Sequence, residues 1–451
     1  MRVRALAVAA AAVVLLLSGT ATAGRSEASI VDVRTSAASG SASVTWTTSI
    51  PMRGRVAYGI GGTYLYSALE PTAATVHTAE LPDLASSSTY EFRIDSTAGR
   101  TKATSTGSVT TAAPPLNPRF DVSGTHVTAD GSLFFPVMSY EQCAATIARA
   151  LAIGVNTFVQ VPFTGCGAPA GVTPPYVLSD NYPGTSGIGW YLPDEPDGWG
   201  ITPEQMPHLP AAALSGRLRV LNVSQHFFSE QAPINDRFDR NDYKRLTAEA
   251  DVVGFDMYPV VKFCGRVPLL DVFRAQRELM TIYAPGKPTF QWIETSKMTG
   301  ECASMQITPA IVNAETWLAI AGGACGIGYF TNSWTGDLWD RWSFDPGVEQ
   351  QLAATVSQVQ KLAPALCADY GTVVVPWNGG VAASSRTLNG ALYVVAVNST
   401  ANATTVPFRV DALAGRTLTV LDEGRTIVPG KKVFFRDRFE PYAVHVYVAA
   451  P

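Results

Sequence analysis

The chain has 451 residues, of which 47% are hydrophobic and 16% are charged, and its formal net charge is −4. This length is sufficient for two or three domains with a sizeable core. Because the charge balance is mildly acidic, the chain offers no basic face to nucleic acid or to an anionic membrane, and we expect neither as a partner.

The N-terminus has the pattern of a secretory signal peptide. Arg2 and Arg4 precede an apolar run over residues 5–17, and Ala21-Thr22-Ala23 supplies the small residues of a cleavage site. We therefore predict that residues 1–23 are removed after Ala23. No later stretch is long and uncharged enough to span a bilayer, so we expect a secreted, extracellular protein without a membrane span.

Residues 24–113 are predicted to form a first β-domain. Apolar and polar residues alternate with a period of two in segments that Gly, Pro and Ser separate, which favours a β-sandwich. The clearest segments are residues 43–47, 54–59 and 90–95. His77 falls in an ordinary strand, where we expect a surface position.

Several residues of this segment resemble a fibronectin type III domain of the kind found ahead of purple acid phosphatases. They are Trp46 in its strand, the run Arg55-Val56-x-Tyr58-Gly59, and Leu81-x-x-Leu84 leading to Tyr90. The resemblance covers nearly the whole segment. It implies a fibronectin type III-like β-sandwich that serves as a binding or spacer module.

The linker over residues 114–118 is rich in proline, which stiffens the backbone. Residues 119–367 then alternate between strand and helix patterns, typical of a parallel sheet covered by helices. The predicted strands are residues 132–138, 156–161, 188–192, 218–223, 252–257, 288–293 and 325–330, with a doubtful one near 176–178. The predicted helices are residues 141–153, 203–214, 241–250, 269–284, 310–321 and 348–362.

With the doubtful strand counted, this pattern predicts a (β/α)8 TIM barrel, a fold of about 250 residues. Residues 165–187 are the weakest part of the pattern, since Pro and Gly are frequent there and no helix pattern is evident. A doubly wound sheet is the alternative, but it would usually have a Gly-rich phosphate loop after its first strand, and none is present.

Residues 368–451 return to short alternating strands and are predicted to form a C-terminal β-sandwich. The strand segments are residues 371–375, 391–397, 417–421, 433–436 and 443–448. Asn222, Asn398 and Asn402 match the glycosylation pattern, which occurs often by chance. The multidomain prediction is thus a central barrel flanked by two β-sandwiches.

All six cysteines fall in the middle of the chain, at positions 143, 166, 264, 302, 325 and 367. An even number in an exported protein favours disulfides. No Cys-x-x-Cys or His-x-x-x-His spacing occurs, and the chain has only five histidines, so we predict neither a metal nor a cofactor. Pairing in chain order would give 143–166, 264–302 and 325–367, although the spacing leaves other connectivities open.

The most informative stretch is residues 189–197, Gly-Trp-Tyr-Leu-Pro-Asp-Glu-Pro-Asp. It is an apolar run that ends in carboxylates and prolines. One interpretation is a solvated acidic turn. The other is a catalytic site, because the carboxyl ends of barrel strands display catalytic groups. Glu294 also ends an apolar strand, and it supplies the second carboxyl group that glycoside hydrolysis needs. Together, Glu195 and Glu294 favour the site.

The middle of the chain resembles clan A of the glycoside hydrolases. The similar motifs are residues 254–259 (Gly-Phe-Asp-Met-Tyr-Pro) and residues 322–330 ahead of Trp334, besides the two strand-end glutamates. The resemblance implies that Glu195, after strand four, is the acid/base and that Glu294, after strand seven, is the nucleophile. The clan usually has Asn before the acid, contacting the sugar 2-hydroxyl, whereas this chain has Asp194.

Further candidates for substrate binding lie at the same predicted rim, and each has a structural alternative. Trp292 and Trp334 are candidates for stacking on a sugar, or for the barrel core. Tyr258 is a candidate for orienting the nucleophile, or for a buried tyrosine with a backbone partner. Asp256 and Gln160 point either to the rim or into the barrel. We expect His226 to be a structural histidine.

These features predict a secreted retaining glycosidase that acts on a polysaccharide or oligosaccharide, as a monomer, with the β-sandwiches as accessory modules. The rival hypothesis is a non-catalytic carbohydrate-binding or adhesion protein on a degenerate barrel. A phosphatase, which the N-terminal resemblance brings into consideration, would need several histidines at strand ends of the barrel, and the sequence lacks them.

Overall fold

The computed structural model describes residues 28–451 except 39, 61–62, 83, 85–87, 113–117, 161–175, 180–186, 208–215, 231–237, 297–301, 303–304, 336–337, 376–378 and 432. The predicted signal peptide lies outside the described residues. The chain divides into two compact units, Met1–Ala112 and Ala113–Pro451. Among the described helices, none combines the length and apolarity needed to cross a membrane.

The first unit is built from five antiparallel strands. They are β1 (Ile30–Ala37), β2 (Ala42–Ile60), β3 (Thr63–Leu81), β4 (Thr89–Ala98) and β5 (Thr101–Thr110). The order is β1-β2-β4-β5, and β3 also pairs with the long strand β2. Alternate residues of β4, namely Tyr90, Phe92 and Ile94, enter the core, as the period of two predicts. The strands therefore form one hydrogen-bonded sheet, and the fibronectin type III resemblance stays a prediction.

His77 is buried, with 1% of its surface exposed, so the expected surface position was wrong. The reason is strand register, because His77 pairs with Trp46 across β2 and β3. The two rings stack at 4.7 Å between centroids, and Nε2 of His77 lies 3.2 Å from Oγ1 of Thr48. This histidine belongs to the core of the first unit.

The second unit begins with a small antiparallel sheet of β6 (Phe120–Ser123), β7 (His126–Ala129) and β8 (Ser132–Phe134). The single strand predicted over residues 132–138 was wrong at this point. Pro136, which has no N–H to donate, follows β8 and separates it from the first barrel strand. Val127 and Phe134 of the small sheet line an apolar cavity together with residues at the amino ends of the barrel strands.

Eight parallel strands form a closed barrel, which excludes the doubly wound sheet. They are β9 (Val137–Tyr140), β10 (Thr157–Val159), β11 (Tyr176–Ser179), β12 (Gly187–Tyr191), β13 (Leu218–Ser224), β14 (Val252–Asp256), β15 (Thr289–Glu294) and β16 (Ile327–Phe330). Each strand pairs with the next in the chain, and β16 pairs with β9. The doubtful strand near residue 176 is therefore real, and Glu195 follows the fourth barrel strand.

The helices follow the predicted alternation. They are α1 (Ala144–Ala152), α2 (Pro196–Trp199), α3 (Arg240–Ala248), α4 (Leu270–Glu278), α5 (Pro309–Gly322) and α6 (Val348–Leu366). Helix α5 shows the usual end signals: Thr308 accepts a hydrogen bond from Ile311 N, Pro309 takes the first position, and Gly323 ends the helix at φ 119°. Of the helix predicted over residues 203–214, the 3-10 turn Pro203–Gln205 is described, and residues 208–215 lie outside the described part.

The C-terminal strands pack on the barrel helices within the same unit. After the hairpin of β17 (Ser333–Thr335) and β18 (Leu338–Asp340), they are β19 (Asp369–Thr372), β20 (Val381–Leu388), β21 (Ala391–Asn398), β22 (Thr404–Arg409), β23 (Leu418–Val420), β24 (Arg425–Ile427), β25 (Phe434–Phe439) and β26 (Val444–Ala449). A six-stranded sheet and the pair β22–β25 share one apolar core that includes Val394, Phe408 and Tyr447. This arrangement is consistent with the predicted sandwich.

The buried Arg386 joins this sheet to the barrel. Its guanidinium donates to Ile320 O at 2.8 Å and to Leu366 O at 2.9 Å, in the last turns of α5 and α6. The last carbonyl groups of a helix have few partners within the helix, and Arg386 supplies a donor to Leu366 O. Ile320 O also accepts from Gly323 N at 3.0 Å, so Arg386 is its second donor.

Two of the predicted disulfides are confirmed. Cys264–Cys302 links the loop after β14 to the loop after β15, and Cys325–Cys367 links the start of β16 to the end of α6. The third prediction, 143–166, involves residue 166, which lies outside the described residues. The Cys264–Cys302 bridge anchors the loop after β14, and this loop contacts Glu294, as described below.

Candidate active site

The structure places the predicted site residues at the carboxyl ends of barrel strands. Asp256 and Glu294 are the last residues of β14 and β15, Gln160 follows β10, and Glu195 follows β12 after a short turn. Parallel strands of a closed barrel end on the same rim, so these side chains start from one face of the molecule. The strand-end positions read from the sequence were correct.

Three non-glycine residues at this rim have a left-handed backbone. Their φ angles are 47° at Glu141, 58° at Gln160 and 45° at Glu195. In each case the backbone N–H donates to a carbonyl of the following barrel strand. Glu141 N donates to Val159 O at 2.8 Å, Gln160 N to Leu178 O at 2.8 Å, and Glu195 N to Asn222 O at 3.0 Å. Such a backbone costs about 1–3 kcal/mol per residue and clusters at functional sites. The outliers support the interpretation of this rim as a site.

Asp194 is held by several donors from neighbouring strands. Its Oδ1 accepts from Tyr191 Oη at 3.1 Å and from Asn222 Nδ2 at 2.9 Å, and Tyr140 donates as well. Burial raises the pKa of Asp194, and these hydrogen bonds oppose the rise. Asp194 is therefore a fixed hydrogen-bond acceptor beside Glu195.

Glu195 shares a hydrogen bond with Asp256. Burial raises the pKa of Asp256 well above its usual range, and the charges of Glu195 and Asp194 raise it further. Burial also raises the pKa of Glu195, against the hydrogen bond from Asp256. Of the two carboxyl groups, Asp256 is shifted further towards its protonated form, and its hydroxyl donates the hydrogen bond to Glu195. Asp194, Glu195 and Asp256 together are called the carboxyl cluster below.

Tyr258 interacts electrostatically with both the carboxyl cluster and Glu294. Its side chain is buried, and its ring lies 5.7 Å from that of Phe330. Burial raises the pKa of Tyr258 well above its usual range, and the charges of Asp256, Glu195, Asp194 and Glu294 add to the rise. The phenol is thus protonated and within electrostatic reach of all these carboxyl groups.

Glu294 is fully buried, with 0% of its surface exposed, and both of its oxygens have partners. Oε1 accepts from Val260 N and Oε2 from Val261 N, each at 2.8 Å. Burial raises the pKa of Glu294, and a hydrogen bond with Glu315, together with the two backbone bonds, opposes the rise. These donors are arranged to stabilise an ionised carboxylate.

Glu315 was missed from the sequence. It lies on α5, is 1% exposed, and its pKa is raised well above the usual range by burial and then by Glu294. Glu315 therefore stays protonated and donates to Glu294. The available signal was the one charged side chain of helix α5, whose other polar side chains are Asn313 and Thr316. A charged residue inside such a helix is costly unless it has a partner.

The two predicted stacking tryptophans differ in position. Trp292 is 2% exposed inside the barrel, against Gly328, where a Cβ would come within 2.2 Å of its ring. Trp292 also shares a hydrogen bond with Tyr191, so it supports the donor to Asp194. Trp334 lies on β17, is half-buried, and meets Phe330 edge-on at 6.2 Å. Trp334 is the one of the two with ring surface open to solvent.

The other acidic residue of the motif has a structural role. Asp197 is 2% exposed and accepts from Ser224 N at 3.0 Å, Ser224 Oγ at 2.6 Å and Tyr243 Oη at 3.0 Å. His226 is half-buried with Nδ1 at 2.7 Å from the same Ser224 Oγ, which agrees with its expected structural role. Asp197 thereby anchors the turn that follows Glu195.

Asn222 and Asn398 are buried, so two of the three matches to the glycosylation pattern are not accessible for modification in the folded chain. Asn222 instead donates to Asp194, as described above. Among the described residues, no group of three or more His, Cys, Asp or Glu side chains is arranged to hold a metal ion.

Replacing Asp256 by Asn is expected to stabilise the protein increasingly as the pH rises. The folded-state pKa of Asp256 lies above the unfolded value, so its favourable contribution is present below the unfolded pKa and lost as pH rises through the folded pKa. The amide keeps an N–H donor to Glu195 and does not titrate. We expect the gain in the free energy of unfolding to be larger at pH 8 than at pH 4.5.

Urea unfolding at the two pH values measures this difference, with Asp411→Asn as a control. The Asp411 side chain is 71% exposed and pairs with Arg409, so its replacement should change stability by less than about 1 kcal/mol. An equal effect of Asp256→Asn at both pH values would contradict the protonation described for the carboxyl cluster.

No protein family model and no curated protein matches the sequence. Several solved structures are similar. A β-D-glucuronidase of Dictyoglomus thermophilum is 11% identical and covers 74% of this chain and 68% of its own, with a TM-score of 0.35. A GH2 β-galacturonidase from Eisenbergiella tayi, bound to galacturonate, is 12% identical. It covers 74% of this chain and 72% of its own, with a TM-score of 0.37. AmyP, in a complex with maltotriose, is 11% identical and covers 70% of this chain and 97% of its own, with a TM-score of 0.43. Identities this low leave the activity of the chain to be argued from its own site.

Proposed function

We propose that this chain is a glycoside hydrolase that cleaves O-glycosidic bonds of a polysaccharide or oligosaccharide. The observation that supports it best is the carboxyl cluster at the carboxyl-end rim of a closed (β/α)8 barrel. A group of carboxyls with raised pKa values at this rim is suited to general acid catalysis. The signal-like N-terminus and the two disulfides favour export.

Glu195 is the proposed acid/base. Its pKa is raised by burial, so a larger fraction is protonated near neutral pH than for an exposed glutamate. In the first step it donates a proton to the glycosidic oxygen as the bond from that oxygen to the anomeric carbon breaks. Asp256, next to it, holds a second proton and limits the negative charge of the cluster.

Glu294 is the proposed nucleophile, and the mechanism is then retaining. One carboxylate oxygen forms a bond to the anomeric carbon, and water later displaces it while Glu195 accepts the proton of that water. The two backbone N–H groups and Glu315 favour the ionised form that attack requires. Retention further requires the Glu195 and Glu294 carboxyls to be about 5–5.5 Å apart in the complex with substrate.

Screening tests the proposal. The full chain is incubated with a panel of aryl glycosides and plant and microbial polysaccharides, and reducing ends or released aryl groups are measured. We expect turnover of at least one substrate, without added metal or cofactor. NMR of the first-formed product reports the anomeric configuration, and inversion would exclude Glu294 as nucleophile while leaving hydrolysis in place.

The full burial of Glu294 favours a second candidate, a non-catalytic carbohydrate-binding protein. The Glu294 side chain has 0% of its surface exposed, so neighbouring groups would have to move before substrate could reach its carboxylate. This candidate predicts binding to one of the polysaccharides and no hydrolysis of any. The same screen, with binding measured in parallel, separates the two.

A further inference from the structure

Trp199 is 78% exposed, although an indole is among the largest apolar side chains. It is the one tryptophan among the large hydrophobic residues that are exposed in the described part of the chain. It also lies one helical turn after Glu195, because Trp199 N donates to Glu195 O at 3.1 Å. An exposed indole one helical turn from Glu195 requires an explanation beyond packing.

The backbone that presents this ring is fixed. Helix α2 is a single turn whose first residues, Pro196 and Asp197, are buried. Asp197 is bound by Ser224 and Tyr243, from β13 and α3. Gly200, at φ 74°, then ends the turn. The indole therefore starts from a rigid base at a constant distance from the backbone of Glu195.

We propose that Trp199 is a stacking platform for a sugar residue of the substrate, next to the bond that Glu195 protonates. This inference rests on the proposed function and names a subsite of that same site. The C–H groups on one face of a pyranose pack against an aromatic ring, while the hydroxyl groups at the edge of the sugar stay hydrated. Such a contact removes the apolar surface of both partners from water without burying polar groups.

The surroundings of Trp199 fit a glycan better than a protein partner. Protein interfaces have a contiguous apolar core, often several hundred Å² in area. Trp199 is flanked by Gly198 and Gly200, and the other described apolar residues that are largely exposed lie far away in sequence. They are Val31, Ile50, Leu69, Val76, Leu151, Val374, Val428 and Phe434. A single exposed flat ring between two glycines matches one sugar face.

The test measures glycan binding without turnover, in the full chain with Glu195→Gln as background. The probes are cellohexaose, xylohexaose, mannohexaose and maltohexaose, with affinities from isothermal titration. We expect Trp199→Ala to raise the Kd of the bound probe about tenfold, and Trp199→Phe to raise it less. Phe434→Ala, which removes another exposed aromatic ring in the C-terminal strands, should leave the Kd unchanged.

Three results would overturn the inference: an unchanged Kd in Trp199→Ala, an equal loss in Phe434→Ala, or no binding of any probe. The proposed function is tested separately with native Glu195. Binding that depends on Trp199 in a chain that hydrolyses nothing would leave the platform in place and refute the hydrolase. Hydrolysis whose KM and kcat are the same in Trp199→Ala as in the native chain would support the hydrolase and refute the stacking platform.

Discussion

Glu195→Gln is expected to lower kcat for glycan hydrolysis by about 10³-fold. General acid–base groups contribute roughly 10²–10⁴-fold to catalysis, and the amide cannot donate a proton to the leaving oxygen. The side chain is partly exposed, and a glutamine can still accept the hydrogen bond from Asp256, so we expect the fold to be preserved. Steady-state kinetics and thermal unfolding of the two proteins check both parts.

The leaving group gives a sharper measurement of the same role. A 4-nitrophenolate leaves without protonation more readily than a sugar alkoxide, so Glu195→Gln should lose less activity on aryl glycosides than on oligosaccharides. Glu204→Gln is the matched control, because Glu204 lies in the same connection after β12, pairs with Arg245 and has a 60% exposed side chain. Activity within about twofold of wild type in Glu195→Gln would refute the assignment of the acid/base.

Glu294→Gln is expected to abolish hydrolysis and also to destabilise the protein. A nucleophile that has lost its charge cannot form the covalent intermediate, and we expect kcat to fall by at least about 10³-fold. The carboxylate accepts Val260 N–H and Val261 N–H on different oxygens. A carboxamide can accept only one of them and turns its NH₂ towards the other. One unsatisfied buried group costs about 1–3 kcal/mol.

The matched control for Glu294→Gln is Glu315→Gln, which keeps a donor next to Glu294 and removes a buried titratable group. It should retain most of the stability and of kcat, whereas Glu315→Leu should lose the donor and lower both. Thermal unfolding and kcat of the three variants are compared at pH 7. Full activity in Glu294→Gln would assign Glu294 a purely structural role.

The sequence by itself determined the layout of the barrel and the positions of its strand ends. Strand and helix periods are local patterns, and a carboxylate that follows an apolar run marks the end of a strand, as at Asp256 and Glu294. The pairing Cys264–Cys302 was one of several connectivities that the sequence left open, and the structure selects it. The local pattern failed at residues 132–138, where Pro136 separates two strands that join different sheets.

Only the tertiary structure decided which groups are partners. Asp256 donates to Glu195, Glu315 donates to Glu294, and Asn222 donates to Asp194, each from a different strand or helix. These contacts depend on strand register and helix packing, which no local period encodes. The burial of His77 against Trp46 has the same origin. The protonation of the site follows from burial and neighbours, so it too becomes visible only when the barrel is closed.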